Sequence, residues 1–248
     1  MALTQTQLDN LVTLLKSEDF EDIQNGKNLI ETLVDSGMIG EEDFTRLIKT
    51  VTGGSVLNET FKFHRMSAVE EVKLGIWAMD IFAKLQSTIR FITVETIHLN
   101  DLDDQMLTEL KEPLTRLNSI HSLELHWSEI TELPEWIGEL TTLVVLEATG
   151  CFQLTTLPDS IGFLTNLKFL TFFECDLHEI PETIGNLTNL KDLDVRSNDN
   201  VELPSTIYNL HNLESISLEN TGCFIEEEEF SKRLPNCSIS QGEVNYSG

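Results

Sequence analysis

Four prolines, Pro134, Pro158, Pro181 and Pro204, recur at intervals of 24, 23 and 23 residues, each inside one version of the same phrase. The phrases are Leu133-Pro134-Glu135-Trp136-Ile137-Gly138, Leu157-Pro158-Asp159-Ser160-Ile161-Gly162, Ile180-Pro181-Glu182-Thr183-Ile184-Gly185 and Leu203-Pro204-Ser205-Thr206-Ile207-Tyr208. A leucine ladder follows, as in Leu164-x-x-Leu167-x-x-Leu170-x-Phe172-x-x-Cys175-x-Leu177. A chain repeating at this period builds one coil per repeat, and a single coil cannot bury its own apolar edge. Only stacked copies make a core, so this part of the chain must form an elongated solenoid and not a closed globule.

Aligning the paired inward residues of each coil gives Ile97/Leu99, Leu123/Leu125, Leu146/Ala148, Leu170/Phe172, Leu193/Val195 and Ile216/Leu218. The second members are 26, 23, 24, 23 and 23 residues apart, so the first unit is irregular, and it also lacks the Leu-Pro phrase. Terminal repeats depart from the period because one of their faces has no neighbour. In one representative coil, Leu167, Leu170, Phe172, Leu177, Ile180, Ile184 and Leu187 are predicted to point inward. Pro181 fixes a backbone angle where the chain turns away from the strand, and Gly185 permits close approach on the return. Ser128, Cys151, Cys175, Asn198 and Thr221 share one rung, where small side chains are expected to bond the backbone of a tight turn. After the last coil, Glu226–Glu229 with Phe230, then Leu234 to Ile239, read as an amphipathic turn and a short strand that close the sheet. Residues 241–248 read as a polar, flexible tail.

Residues 1–90 carry no trace of the period and read as all-α. Leu8, Leu11, Val12 and Leu15 stand at helical spacing. Ile23, Leu29, Ile30, Leu33 and Val34 do so on a second segment, and Phe44, Leu47, Ile48 and Val51 on a third. Ser36-Gly37, Gly40 and Gly53-Gly54 break the chain. A fourth helix is predicted to open at the capping box Ser67-Ala-Val-Glu70 and to run to about Leu85. It is apolar on most sides through Val69, Val72, Leu74, Ile76, Trp77, Met79, Ile81 and Phe82, the pattern of a buried helix. The region is expected to be a cap that seals the open end of the solenoid, or a second interaction module.

The phrase from Ile180 through Val195, Ile-Pro-Glu-Thr-Ile-Gly-Asn-Leu-Thr-Asn-Leu-Lys-Asp-Leu-Asp-Val, resembles the 23-residue class of intracellular leucine-rich-repeat (LRR) proteins, the Ras-group type and its short bacterial relatives. The match is strong over residues 117–223 and looser over 91–116 and 224–240. The resemblance implies an α/β repeat: a right-handed LRR solenoid over residues 91–240, of about five to six repeats with a C-terminal cap. It further implies a parallel sheet on the concave face, short 3₁₀ or turn segments on the convex face, and protein binding by the concave side. It implies no reaction, so neither an enzymatic activity nor a cofactor is expected.

Charge narrows the partner. The chain carries a net charge of −26. Residues 91–248 hold 7 basic against 28 acidic residues, whereas residues 1–90 hold 9 against 14. Phosphate backbones and anionic lipid surfaces are repelled by such a field, which sets aside nucleic acid and membrane roles. A protein partner with a basic patch is the expected one, although surface carboxylates also serve simply to keep a solenoid soluble. The opening residues Met1–Leu8 show no secretory pattern. No apolar run approaches the roughly 20 residues needed to span a bilayer. A cytoplasmic monomer is the reading. Cys151 and Cys175 occupy successive coils, near enough to pair, but buried free thiols are expected in that compartment.

Strand alternation turns the residues between the inward ones toward the concave face. Val145, Phe169 and Phe173, with Trp127, are predicted to form an exposed apolar cluster there, bordered by Glu124, Glu147, Glu174, Asp192 and Asp194 and joined by Arg196. Apolar anchors supply affinity, and carboxylates around them select a basic partner. Two other readings stand beside this one. In the first, an adaptor binds through its N-terminal helices and the solenoid is a spacer. In the second, His98, Glu124, His126 and Glu147 approach one another on the concave face and serve a weak metal-dependent enzyme. No metal site is predicted outright. The histidines lack zinc-motif spacing, and Asp101, Asp103 and Asp104 lack the glycine and final glutamate of a calcium loop.

Overall fold

The computed structural model describes residues 4–17, 20–52, 55–57, 60–63, 76–78, 80–81, 84–85, 91–94, 96–117, 119–199 and 201–242. The chain forms two compact units, the bulk of the first running to Val94 and of the second beginning at Glu95.

The first unit opens with three helices, α1 (Gln5–Leu15), α2 (Phe20–Asp35) and α3 (Glu41–Thr52). A reciprocal cap starts α1: the Gln7 amide donates to Thr4 Oγ1 at 3.3 Å, and the Thr4 amide donates to Gln7 Oε1 at 3.0 Å. Gly37, at φ +72°, ends α2, with the Met38 amide donating back to the Leu33 carbonyl at 2.8 Å. Leu8, Leu11, Leu15, Ile30, Val34, Phe44, Leu47 and Ile48 are buried as the spacing predicts, but Leu29 is exposed. One step along α2 from Ile30 turns a side chain by about 100°, out of the contact face. Of the predicted fourth helix, residues 76–78, 80–81 and 84 are helical. Trp77 meets Phe44 edge-on at 5.7 Å and donates its indole N–H to Glu31 Oε1 at 2.8 Å. The Gly53-Gly54 break, the capping box at Ser67–Glu70 and the apolar positions Val69, Val72, Leu74, Met79 and Phe82 lie outside the described residues.

Besides its helices, this unit holds a small sheet that the reading of residues 1–90 as all-α did not foresee. β1 (Ser55–Leu57) pairs antiparallel with β2 (Thr60–Phe63), which pairs parallel with β3 (Phe91–Val94). The parallel pair, β2 and β3, is rich in β-branched and aromatic residues, which suit a pleated surface.

The second unit is one parallel sheet of seven strands in chain order: β4 (Thr96–Asn100), β5 (Ser122–His126), β6 (Val145–Thr149), β7 (Phe169–Phe173), β8 (Asp192–Asp194), β9 (Ser215–Leu218) and β10 (Ser238–Gln241). Consecutive parallel neighbours of this kind wind right-handed. Ile97, Leu123, Leu146, Leu170, Leu193 and Ile216 align across the sheet, continued by Ile239, as the repeat predicts. All the members from Ile97 to Ile216 are fully buried. The irregular first coil carries two short helices, α4 (Asp104–Glu109) and α5 (Lys111–Arg116), which take up its longer step. Each of the next four coils carries one 3₁₀ segment, with Pro134, Pro158, Pro181 or Pro204 as its N-cap at φ between −66° and −74°.

The 3₁₀ segments stack tightly. A Cβ at Gly138 would lie 2.5 Å from the Ser160 carbonyl oxygen, and one at Gly162 would lie 2.7 Å from that of Thr183. The fourth phrase has Tyr208 at the corresponding position. Among the described residues no 3₁₀ segment follows it; helix α6 (Glu227–Arg233) does, and Tyr208 packs on its Phe230 at 5.9 Å beneath the Arg233 guanidinium at 3.8 Å. The one departure from glycine thus marks where the stack ends. β10 then pairs with β9, so Gln241, expected in the tail, belongs to a strand, and residues 243–248 lie outside the described ones.

Two ladders lock successive coils. Asn166, Asn189 and Asn212 each donate from Nδ2 to the carbonyl of Thr141, Thr165 and Thr188 in the preceding coil, at 2.8, 2.8 and 2.7 Å. The buried rung holds the second. Fully buried Asn198 donates to the Phe172 and Val195 carbonyls at 2.6 and 2.9 Å and accepts the Leu177 amide at 2.9 Å. Ser128 accepts the Leu102 amide at 3.2 Å.

Candidate functional site

The strand pleat presents a concave surface in three rows, and the backbone then turns sharply at one further position per coil. Asp101, Trp127, Gly150, Glu174, Ser197 and Asn220 occupy that position, all at φ between +51° and +71°. Because the turn aims each side chain away from the pleat, Trp127 lies over Gly150, where a Cβ would come within 2.5 Å of its ring. Trp127 is 56% exposed and packs against Phe152, itself 61% exposed, at 5.9 Å. The aromatic partner of Trp127 is therefore Phe152, a residue outside the predicted strands that the sequence reading passed over.

Phe169 stands on the pleat between Val145 and Asp192 and is 44% exposed. Val145 beside it is half-buried. Phe173, two residues along the same strand, is half-buried beneath the Arg196 guanidinium at 5.2 Å. Arg196 grips Asp194 through Nε at 2.9 Å and Nη2 at 2.6 Å, and lies 3.9 Å from Glu219. That hydrogen bonding to Asp194, foremost, holds the guanidinium pKa above its ordinary value. Asp194 is buried, so its charge is spent on Arg196 and is not open to a partner.

The other bordering carboxylates are anchored to different degrees. Glu147 accepts from Thr149 at 3.1 Å, Asp192 accepts from Ser215, and Glu174 is half-buried at its left-handed turn. Glu124 accepts from Ser122 at 3.0 Å on one oxygen and faces His98 and His126 with the other. Of the four residues proposed to converge there, His98, Glu124 and His126 come together, their ligand atoms within 4.8 Å of one another. Cys151 and Cys175 are buried free thiols that point at the Leu125 and Ala148 carbonyls. Contact with Cys151, together with burial, pushes the Cys175 thiol well above its usual range.

A second surface was not anticipated. A groove of about 720 Å³ runs along the four Leu-Pro phrases. It is lined by Glu132, Glu135, Asp159, Glu179, Glu182 and Glu202, with no lysine or arginine among its lining residues. The signal was present in the sequence, since an acidic residue precedes or follows nearly every Leu-Pro or Ile-Pro pair.

Parallel strands at a 23-residue period, proline-capped 3₁₀ segments and a buried polar rung define a leucine-rich-repeat solenoid, preceded in the chain by a helical unit. No family model and no curated protein matches the chain. Among solved structures it is similar to an LRR protein of Leptospira interrogans, at 20% identity and a TM-score of 0.39, over 64% of this chain and 50% of that one. It is similar to internalin C2 of Listeria monocytogenes at 18% identity and a TM-score of 0.44, over 79% and 90% of the two chains. It is also similar to the LRR ectodomain of the receptor kinase SOBIR1 of Arabidopsis thaliana at 23% identity and a TM-score of 0.35, over 44% and 61%. The matched region spans half the length of the Leptospira protein. Among the described residues, no helix is long and apolar enough to cross a membrane.

Proposed function

We propose that the chain is a non-catalytic protein-binding module whose concave sheet takes a segment of a basic protein. The observation that carries this is Phe169, an aromatic ring 44% exposed in the middle of a sheet face made mainly of small and polar side chains. An aromatic anchor beside an aliphatic one, Val145, is the composition of an interface hot spot. Charge supports a basic partner. In the repeat unit Lys111, Arg116, Lys191, Arg196 and Lys232 are all paired with carboxylates of the chain itself, which leaves a large surplus of unpaired acidic groups. The buried thiols Cys151 and Cys175 fit a reducing, cytoplasmic compartment.

A second reading rests on the groove along the Leu-Pro phrases, whose six carboxylates also suit a basic segment. The two are separated by affinity capture with the wild type, a Val145→Glu/Phe169→Glu variant and a Glu132→Gln/Glu179→Gln/Glu202→Gln variant, each first shown to unfold at the wild-type temperature. A basic protein held by the wild type and the groove variant but lost by the sheet variant supports the concave site. The reverse pattern moves binding to the groove. Capture that survives both variants moves it to the N-terminal helices, and the concave proposal is then wrong.

A further inference from the structure

Two neighbouring strands at the N-terminal end of the sheet place three metal-ligating side chains on one face. His98 of β4 stands directly opposite Glu124 of β5, and His126 follows Glu124 by two residues on the same side of the pleat. All three are half-buried, and their ligand atoms lie within 4.8 Å of one another. The Nδ1 of His98 touches Glu124 Oε2, and His126 Nε2 lies 3.6 Å from that same oxygen. The two imidazoles lie 30° from parallel, with centroids 6.5 Å apart, so their rings flank the carboxylate.

A zinc ion bound at about 2.0–2.2 Å to nitrogen and oxygen donors holds them roughly 3.4 Å apart along a tetrahedral edge. The Glu124–His126 separation of 3.6 Å is already near that edge, and all three ligand atoms lie within 4.8 Å of one another. Orientation is supplied by Ser122, whose hydroxyl donates to Glu124 Oε1 at 3.0 Å and leaves Oε2 turned toward the histidines. Such an outer hydrogen bond fixes a carboxylate ligand before the metal arrives. The sheet below is closed by buried Ile97, Leu99, Leu123 and Leu125, whereas the concave side is open. Three protein ligands and one open position follow.

We propose that His98, Glu124 and His126 form a binding site for one divalent zinc-class ion. The ion carries two imidazoles, one carboxylate and a fourth, exchangeable ligand from solvent. Zinc suits this donor set because it accepts nitrogen and oxygen ligands and imposes no geometry beyond tetrahedral. The site is separate from the Phe169 patch two strands away and stands whether or not a partner binds there.

The test uses the untagged full chain, freed of metal by a chelator and titrated with zinc chloride by calorimetry at neutral pH, and then with Co²⁺ as a spectroscopic probe. The expected result is one equivalent of zinc and visible Co²⁺ bands of a four-coordinate nitrogen–oxygen site. Each of His98→Ala, His126→Ala and Glu124→Gln should weaken binding at least about tenfold. These variants are compared with the wild type by thermal unfolding in chelator, where they should match. Absence of stoichiometric binding by the wild type overturns the proposal without recourse to any variant. Binding that persists in the His98→Ala/His126→Ala chain overturns it too, as does a near-ultraviolet thiolate-to-cobalt band, which would place the ion on cysteines.

Discussion

Replacing Asn198 by leucine removes the only fully buried amide of the rung while keeping the branching of its side-chain heavy atoms. The side chain makes four bonds to backbone groups, on Leu177, Phe172, Val195 and, at 3.3 Å, Arg196, from a position with no solvent exposure. Leucine can replace none of them. The orphaned Leu177 N–H costs roughly 1–3 kcal/mol, and each carbonyl that loses a donor forfeits about 0.5–1.5 kcal/mol, so the expected total is about 3 kcal/mol. At a urea m-value of about 2–3 kcal/mol/M this lowers the unfolding midpoint by about 1 M or more with m unchanged. Ser128→Ala, which loses the accepted Leu102 amide bond and the bond donated to the His126 carbonyl on the same rung, should cost about half as much. Asn198→Asp keeps an acceptor for Leu177 but sets a second oxygen against the Phe172, Val195 and Arg196 carbonyls. Burial there raises its carboxyl pKa, so the loss is greatest at neutral pH and shrinks as the pH falls through that raised pKa toward the unfolded value of about 4. Urea unfolding followed by circular dichroism checks all three. A loss under about 1 kcal/mol for Asn198→Leu would refute the reasoning, because it would mean that water satisfies those backbone groups.

Gly162→Ala should destabilise by about 2 kcal/mol, because its methyl would lie 2.7 Å from the Thr183 carbonyl oxygen of the next coil, whereas Tyr208→Phe, at the end of the stack, should unfold within about 0.5 kcal/mol of the wild type. Thermal unfolding measures both. Arg196→Gln removes the cation that lies over the Phe173 ring on the concave face. It should tighten a basic partner about threefold, as expected for one surface charge, at a stability cost of about 1 kcal/mol for the weakened bond to Asp194. Titration calorimetry and urea unfolding read the two effects separately.

The repeat was legible because stacking demands the same residue at the same phase. Leu123, Leu146, Leu170 and Leu193 could be aligned by eye, and the register of the sheet follows that alignment. The meaning of Tyr208 was also open to reading, since the loss of glycine in the last phrase is visible in the letters. So was the phrase behind the ladder of Asn166, Asn189 and Asn212, which reads Leu164-Thr165-Asn166, Leu187-Thr188-Asn189 and Leu210-His211-Asn212. Side-chain alliances were not legible. Phe173 and Arg196 are 23 residues apart and meet only because adjacent coils are in register, and Asp194 is drawn beneath by the same arginine. Trp127 points to Phe152 because of a left-handed turn that nothing in its residue type announces. In the first unit, Thr60-Phe-Lys-Phe63 alternates as a strand should, but strong helical spacing on either side obscured it.

The most direct measurement of the concave-face proposal is selection from a random-peptide display library against the immobilised chain, followed by equilibrium titration of the winning peptides. The prediction is enrichment of lysine and arginine beside an apolar residue, affinity that falls with salt, and a loss of at least about tenfold in Phe169→Glu with none in Glu132→Gln/Glu179→Gln/Glu202→Gln. Winners without basic residues, or winners that bind Phe169→Glu as tightly as the wild type, would contradict it.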